Sequence, residues 1–443
     1  MNLRSILHGS FASAFIQIFN TASQATAAIM LSRLLGPAGY GAYAFALAVA
    51  SFLQMPVQIG LRNTAVRFAS VYAETGEWDL LRGLLRRLMQ WGLSYSAAAS
   101  IILAILVVLY GRFVRETDGQ TLFLAATLIV LLMPLPALLG GFLRGYRKAV
   151  LGQTPEFVLR PAALLIFVGL AYLLTGRLTP VGAMAVNGGS CLFAAAVALY
   201  WLRRYRPNSS SSSPARFDSA SWARAIVPLS MAGGMLIINS QASTLLLGLL
   251  SNSDQVGIYR VAFQSCSFVS LGLTGINLLI GPDIARLNSS KGMAELQRVV
   301  THGARLSLVW AIPIAAGFIF FGRPFVTTVF GQPYTQAYPV LLLISVAQLI
   351  AVSAGSVGFI LNMTGHERDT FVAYSLCAVS NILLLVVLVP RAGAVGAAFA
   401  NLATLPACNL YLVYRTLKQT GLDSTALGGA FWGRYGLVRV TGS

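Results

Sequence analysis

Charge is scarce in this chain, and acid scarcer still. Of its 443 residues only 10% are charged, and 13 are Asp or Glu against 31 Lys or Arg. Soluble domains carry about 25% charged residues, so an ordinary water-soluble globule is excluded. Histidine occurs three times, as His8, His302 and His366, which lie too far apart to build a metal cluster by spacing. The four cysteines, Cys191, Cys266, Cys377 and Cys408, form no CxxC pair and fall in apolar stretches. They read as buried small hydrophobes, not as metal ligands or disulfide partners. The carboxylates fall in loops or at the ends of apolar stretches, with none near a midpoint. A carrier of organic cations needs a buried acid as counter-ion, and proton relays use chains of Asp, Glu or His. Neither is provided, and no cofactor is implied.

What the chain has instead is apolar length. It is 56% hydrophobic, with a mean hydropathy of +0.73, which makes lipid its main solvent. The first apolar stretch lacks a signal-peptide cleavage pattern and reads as a retained span. With about 20 apolar residues per crossing, twelve spans are predicted. Six fall near 11–35, 42–61, 91–110, 121–143, 156–175 and 181–202, and six near 225–250, 256–281, 305–322, 339–361, 370–389 and 395–416. The expected class is an all-α integral membrane protein. Its organisation is a six-helix lobe at 1–205, a Ser-rich linker at 206–221 containing Ser209 to Ser213, a second six-helix lobe at 222–420 and a tail at 421–443.

The net charge of +18 would suggest nucleic acid in a soluble protein. Here the positive-inside rule accounts for it, because the N-terminus, the even-numbered loops and the tail hold about three quarters of the Lys and Arg. Both termini are therefore expected in the cytoplasm, and nucleic acid is not an expected partner. The loops at 62–90 and 282–304 are long enough for amphipathic helices. Leu80, Leu81, Leu84, Leu85 and Leu88 recur at helical spacing beside Arg82, Arg86 and Arg87, a pattern suited to lying on anionic headgroups.

The two halves repeat. Val181-Gly182-Ala183-Met184-Ala185-Val186-Asn187 returns 214 residues later as Val395-Gly396-Ala397-Ala398-Phe399-Ala400-Asn401. Gly41-Ala42-Tyr43 pairs with Gly257-Ile258-Tyr259, and Gly141-Phe142-Leu143 with Gly358-Phe359-Ile360, at nearly the same offset. An even number of spans per repeat makes the repeats parallel, related by a pseudo-two-fold axis along the membrane normal, as in two-lobed transporters. Gly39-Tyr40-Gly41-Ala42-Tyr43-Ala44 fits a dinucleotide fingerprint, but it joins two spans with no preceding strand and reads as a tight turn.

Polar residues line the first two helices of each half. Ser51, Gln54, Gln58 and Arg62 share one face of span two, and their repeat partners include Ser267, Ser270 and Thr274. Gln17, Asn20 or Thr21, and Gln24 do the same in span one, with Asn239 to Thr244 in span seven and Gln264 in span eight. Such groups either bond helices together or line a wet cavity. Arg33 and Arg260 lie near the outer ends of spans one and eight, and Arg62 at the inner end of span two. Intramembrane arginines face a cavity or a partner unless they snorkel. Arg160, one turn after Glu156, reads as its local i,i+4 partner. Guanidinium forks suit phosphate, and amides and hydroxyls suit sugars. The implied substrate is an anion with a hydrogen-bonding body. The candidate binding set is Arg33, Arg62, Arg260, Gln24, Gln54, Gln58, Asn239 and Gln264.

Leu31-Ser32-Arg33-Leu34-Leu35-Gly36-Pro37 followed by Gly39-Tyr40-Gly41-Ala42-Tyr43 resembles the first hairpin of Wzx-type polysaccharide flippases. Val256-Gly257-Ile258-Tyr259 and Gly393-Ala394-Val395-Gly396-Ala397-Ala398 are similar to later helix starts of that family, within the multidrug, oligosaccharidyl-lipid and polysaccharide exporter superfamily. The resemblance implies two six-helix bundles opening alternately to each side of a bacterial inner membrane. It implies an oligosaccharide carried on polyprenyl diphosphate as substrate, a cavity lined by helices one, two, seven and eight, and a polysaccharide polymerase and export machinery as partners. Lipid II flippases are relatives with about fourteen spans, more than this chain has. Two other functions stay in view. A multidrug exporter lacks its buried acid here. A membrane polymerase or ligase lacks acid or His in the longest outer loop, 322–339.

Overall fold

The computed structural model describes residues 3–111, 117–146, 148–205, 214–289 and 293–428. All regular structure among them is helical. The chain packs as two compact units, Met1–Gly248 and Leu249–Ser443. In the first, α1 (Leu3–Leu53) leads through a π-helical turn (Pro56–Leu61) into α2 (Arg62–Thr75). Then come α3 (Trp78–Gly111), α4 (Thr117–Leu132), α5 (Pro134–Gly145) and α6 (Ala149–Thr154). A second π-helical turn (Pro155–Leu159) precedes α7 (Arg160–Thr175), α8 (Pro180–Arg204) and α9 (Ser219–Leu250). The second unit holds α10 (Ser253–Ser289), α11 (Met293–Val329), α12 (Ala337–Ser353), α13 (Val357–Met363) and α14 (Glu367–Thr420).

Nine helices among the described residues are long and apolar enough to cross a membrane. α1 and α14 each contain a break, and each therefore supplies two crossings; α9 supplies one more, which restores the expected twelve. The breaks have local causes. Gly36 sits at φ 67°, open to glycine, and Pro37 comes directly after it. Gly393 sits at φ 51°, and the freed Ala394 N–H donates to Gln255 Oε1 at 2.8 Å. In the first repeat the same helix start is capped differently, by Thr179 Oγ1 accepting from Gly182 N at 3.1 Å. Large apolar side chains stand open on the perimeter, among them Leu173, Leu174, Phe320 and Val309. Water would not tolerate such a surface; lipid does.

The residues at 62–90 form a helical hairpin, not a helix lying on headgroups. α2 turns at Gly76, in the left-handed conformation, straight into α3. Leu81, Leu84 and Leu88 are buried with Leu138, Phe142, Tyr72 and Trp222. The leucine stripe has a protein partner, α5 and the start of α9, and therefore no need of lipid.

α9 groups with the first unit, and small residues mark where it meets that unit. A Cβ on Gly234 would fall 2.2 Å from the Met55 methyl, and one on Gly248 2.2 Å from the Phe45 ring. A Cβ on Gly60, in the π turn, would fall 2.0 Å from Ser230 Oγ. Of the expected linker, 206–213 lie outside the described residues, and 219–221 already belong to α9. Residues 214–218 rest on α3, where Arg216 N donates to Asp79 O at 3.1 Å. Of the expected tail, 429–443 lie outside the described residues. Residues 421–428 fold back as a strap on the second unit, where Gln297 and Asp423 exchange two hydrogen bonds of 2.6 and 2.8 Å.

Candidate functional site

Both π-helical turns of the first unit begin at a proline, Pro56 and Pro155. A proline offers no N–H to the preceding turn, so the turn widens. A widened turn re-aims the side chains beyond it. Here the two turns bring Arg62, the residue after the first turn, against Glu156, inside the second. Arg62 Nη1 donates to Glu156 Oε1 at 3.1 Å and to Oε2 at 3.3 Å. Arg144, near the end of α5, places Nη2 3.6 Å from the same Oε2. Its guanidinium also lies over the Phe157 ring, 5.8 Å from the centroid.

Glycines make this convergence possible. A Cβ on Gly141 would fall 3.1 Å from Arg62 O, one on Gly145 2.4 Å from Ala69 Cβ, and one on Gly140 2.3 Å from Gly152 O. α5 thus presses backbone-close against α2 on one side and α6 on the other. The result is two guanidiniums on one carboxylate, a cluster of net charge +1. All three side chains are largely enclosed, at 16–21% exposure. Arg62 Nε, Arg144 Nε and Arg144 Nη2 are enclosed without a hydrogen-bond acceptor. Spare guanidinium N–H groups and surplus positive charge are what a phosphate oxygen binds.

Glu156 is therefore not the local partner of Arg160. The π turn between them breaks the i,i+4 register, and Arg160 Nη2 donates instead to Asn187 Oδ1 at 3.4 Å. Asn187 Nδ2 in turn donates to the buried Tyr43 hydroxyl at 2.7 Å. Asn187 and Tyr43 are the repeat partners of Asn401 and Tyr259. The offset that relates Tyr43 to Tyr259 carries Arg160 to Leu376, and Asn401 Oδ1 is enclosed with no donor reaching it. The same offset carries Arg62 to Leu278, and the pairing of Gly141 with Gly358 carries Arg144 to Leu361. The basic cluster belongs to the first repeat alone.

Residues 6–287 match the family described as "Polysaccharide biosynthesis protein". The chain belongs to that family. Two relatives come from Haloferax volcanii. One is named "Probable flippase AglR", 25% identical, with 90% of this chain and 81% of the relative covered. The other is named "Probable low-salt glycan biosynthesis flippase Agl15", 23% identical, with 87% and 78% covered. Among solved structures, an inward-facing multidrug resistance MATE family transporter of the MOP superfamily superposes with a TM-score of 0.74 at 13% identity, covering 92% of this chain and 99% of that one. Lipid II flippase MurJ, in an inward closed conformation, superposes with a TM-score of 0.67 at 14% identity, covering 93% and 87%. At such identities the likeness is one of fold.

In this member of the polysaccharide biosynthesis family, the candidate residues separate into different settings. Arg62 joins the cluster. Gln54 is fully enclosed, and its Oε1 accepts from Ser96 Oγ at 3.2 Å, so it ties the turn after α1 to α3. Gln58 is half-buried with its Nε2 enclosed and lacking an acceptor. Gln24 and Arg33 are exposed on α1. Asn239 is half-buried, and its Nδ2 donates back to Met235 O at 2.8 Å. In the second unit, Gln264 is half-buried, and Arg260 lies over the Phe263 ring, 5.9 Å from the centroid. Ser267, Ser270 and Thr274 turn their hydroxyls onto carbonyls of their own helix, the common resting place for such groups in a membrane helix.

Arg144 and Glu156 escape sequence reasoning as site residues. Arg144 counts there as one more cytoplasmic-loop cation. The available signal is its company, since Gly140, Gly141 and Gly145 around one arginine mark a backbone approach. The π turns make a testable claim of their own. Pro56→Ala restores an N–H, and the turn is expected to close to α, swinging Arg62 off Glu156. Cysteines placed by Arg62→Cys and Glu156→Cys should cross-link readily with Pro56 present and poorly with Pro56→Ala. Equal yields would show that Pro56 does not set this register.

Proposed function

We propose that the protein is a flippase. It moves an oligosaccharide linked to polyprenyl diphosphate from the cytoplasmic to the outer leaflet of a bacterial inner membrane, by alternating access between two lobes divided at the central linker. It is a transporter and not an enzyme. The observation that carries this reading is the Arg62–Glu156–Arg144 cluster, with its surplus charge and unfilled N–H donors, in a chain of the polysaccharide biosynthesis family. The names of the two archaeal relatives support it.

Arg62 and Arg144 capture the diphosphate at the cytoplasmic mouth, with both termini on that side by the distribution of Lys and Arg. Arg33 and Arg260 draw it outward. Gln24, Gln58, Asn239 and Gln264 contact sugars, and Gln54 joins them when the lobe opens its hydrogen bond to Ser96. A polysaccharide polymerase and export machinery receive the product. An inside-negative potential moves a charge of about −2 outward with roughly 4–5 kcal/mol per 100 mV, so potential drives the step more strongly than a pH gradient.

The test is flipping of purified lipid-linked oligosaccharide in proteoliposomes under an imposed potential or an imposed ΔpH. Transport that follows potential, and that falls at least tenfold with Arg260→Ala at unchanged protein level, is expected. Transport indifferent to potential but driven by ΔpH overturns the energetic assignment. Wild-type rates with Arg260→Ala overturn the role of that residue.

A further inference from the structure

The second unit carries a groove that the transport reading does not use. It has a volume of about 700 Å³ and lies between α11, α12, the second half of α14 and the C-terminal strap. Leu308, Val309 and Ile312 form one wall, and Pro406, Leu410 and Val413 the other. Val309 and Leu410 are 70% and 63% exposed, so the groove opens on the lipid-facing perimeter.

One cation stands at its end. Arg305 lines the groove, and its Nε donates to Ala426 O of the strap at 3.0 Å. The remaining guanidinium nitrogens have no acceptor among the described residues. With about 20 residues needed for the hydrocarbon core, Arg305 falls at headgroup level on α11, and the apolar walls run inward from it. Arg298 and His302 precede Arg305 by seven and three residues, on the same helical face. Arg298 and His302 also border a second, shallower apolar groove against Ile276, Leu279 and Ile280. No acidic residue lines either groove; the nearest acid on α11, Glu295, lies one turn before Arg298.

We propose that this groove is a specific site for one anionic phospholipid, with its phosphate on Arg305 and an acyl chain along α11 and α14. Basic pockets between membrane helices select anionic headgroups in this way. The strap supplies part of the wall and the acceptor that orients Arg305, so the lipid joins the strap to the helices beneath it. The strap's other ties include the Gln297–Asp423 pair, Ser424 Oγ on Ala354 O at 3.0 Å and Ala426 N on Ser353 O at 3.1 Å. The lipid is a structural ligand, independent of which substrate the protein carries.

The test uses the full chain, purified in mild detergent and stripped of lipid. Phosphatidylglycerol, phosphatidylcholine and a polyprenyl phosphate are titrated separately, with retention read by native mass spectrometry and stability by melting temperature. Phosphatidylglycerol is expected to be retained at least tenfold better than phosphatidylcholine and to raise the melting temperature. Arg305→Gln and Val309→Trp should each reduce that retention about tenfold while the lipid-free protein melts as the parent does. Val309 is exposed, so tryptophan there fills the groove mouth without entering the core. Equal retention of the two phospholipids, or retention indifferent to both substitutions, overturns the proposal. Tighter retention of polyprenyl phosphate than of phosphatidylglycerol also overturns it, making the groove a seat for the substrate's tail.

Discussion

Arg144→Ala is expected to lower flipping by roughly 10–100-fold, the effect of losing a charge-assisted contact of about 1.5–3 kcal/mol, while the folded protein stays in the membrane. The reason is arithmetic of charge. With both arginines the cluster is +1 and attracts an anion; with one it is a neutral pair. Glu156 keeps a partner in either single variant, so no lone enclosed carboxylate is left to unfold the lobe. Arg62→Ala should behave alike. Glu156→Gln should do the reverse, leaving two guanidiniums side by side at +2. Titrated with inorganic pyrophosphate, that variant should bind more tightly than the parent, and without the anion it should melt earlier. If Arg144→Ala flips at the parent's rate, or Glu156→Gln binds pyrophosphate no better, the cluster is structural and the diphosphate is read elsewhere.

The second large effect concerns Trp222, one of the largest fully buried side chains. It enters the core formed by α2, α3 and α5, and its Nε1 donates to the Tyr72 hydroxyl at 3.0 Å. Burial raises the Tyr72 phenol above its ordinary pKa, so the hydroxyl remains protonated as it accepts. Trp222→Ala should cost about 3–5 kcal/mol through lost burial and the cavity left behind, seen as a lower melting temperature and exposure of the 62–90 hairpin to protease. Trp222→Phe keeps most of the apolar volume and loses the hydrogen bond, so it should cost much less. Equal losses would mean that the hydrogen bond, and not packing, fastens α9 there.

The helical class and the twelve crossings can be read from the residues because apolar length is a summed property, insensitive to which side chain touches which. The exact turn is harder to place: the segment 39–44, expected as the tight turn, is helical, and the break falls just before it at Gly36. The site is less legible. Arg62 stands out because it ends a polar stripe on its own helix. Arg144 does not, because its importance lies in α5 coming backbone-close to α2, a fact about three glycines and not about the arginine. Pairing Glu156 with Arg160 applies a rule that holds in an α-helix and fails across a π turn. The leucines of α3 point to lipid when read alone, because nothing in residues 80–88 reveals that Trp222, more than 130 residues later, returns to cover them.

The two proline-led turns also bear on how the cluster can let go. A π turn holds an extra residue, and closing it to α rotates everything beyond by about 100°. Arg62 lies immediately beyond one such turn, and Glu156 lies within the other. A single slip of register at either place would part cation from anion while the axes of the long helices stay where they are. The proposed grip on a phosphate is therefore one that a twist within one turn of backbone releases, a far smaller movement than the rocking of a lobe.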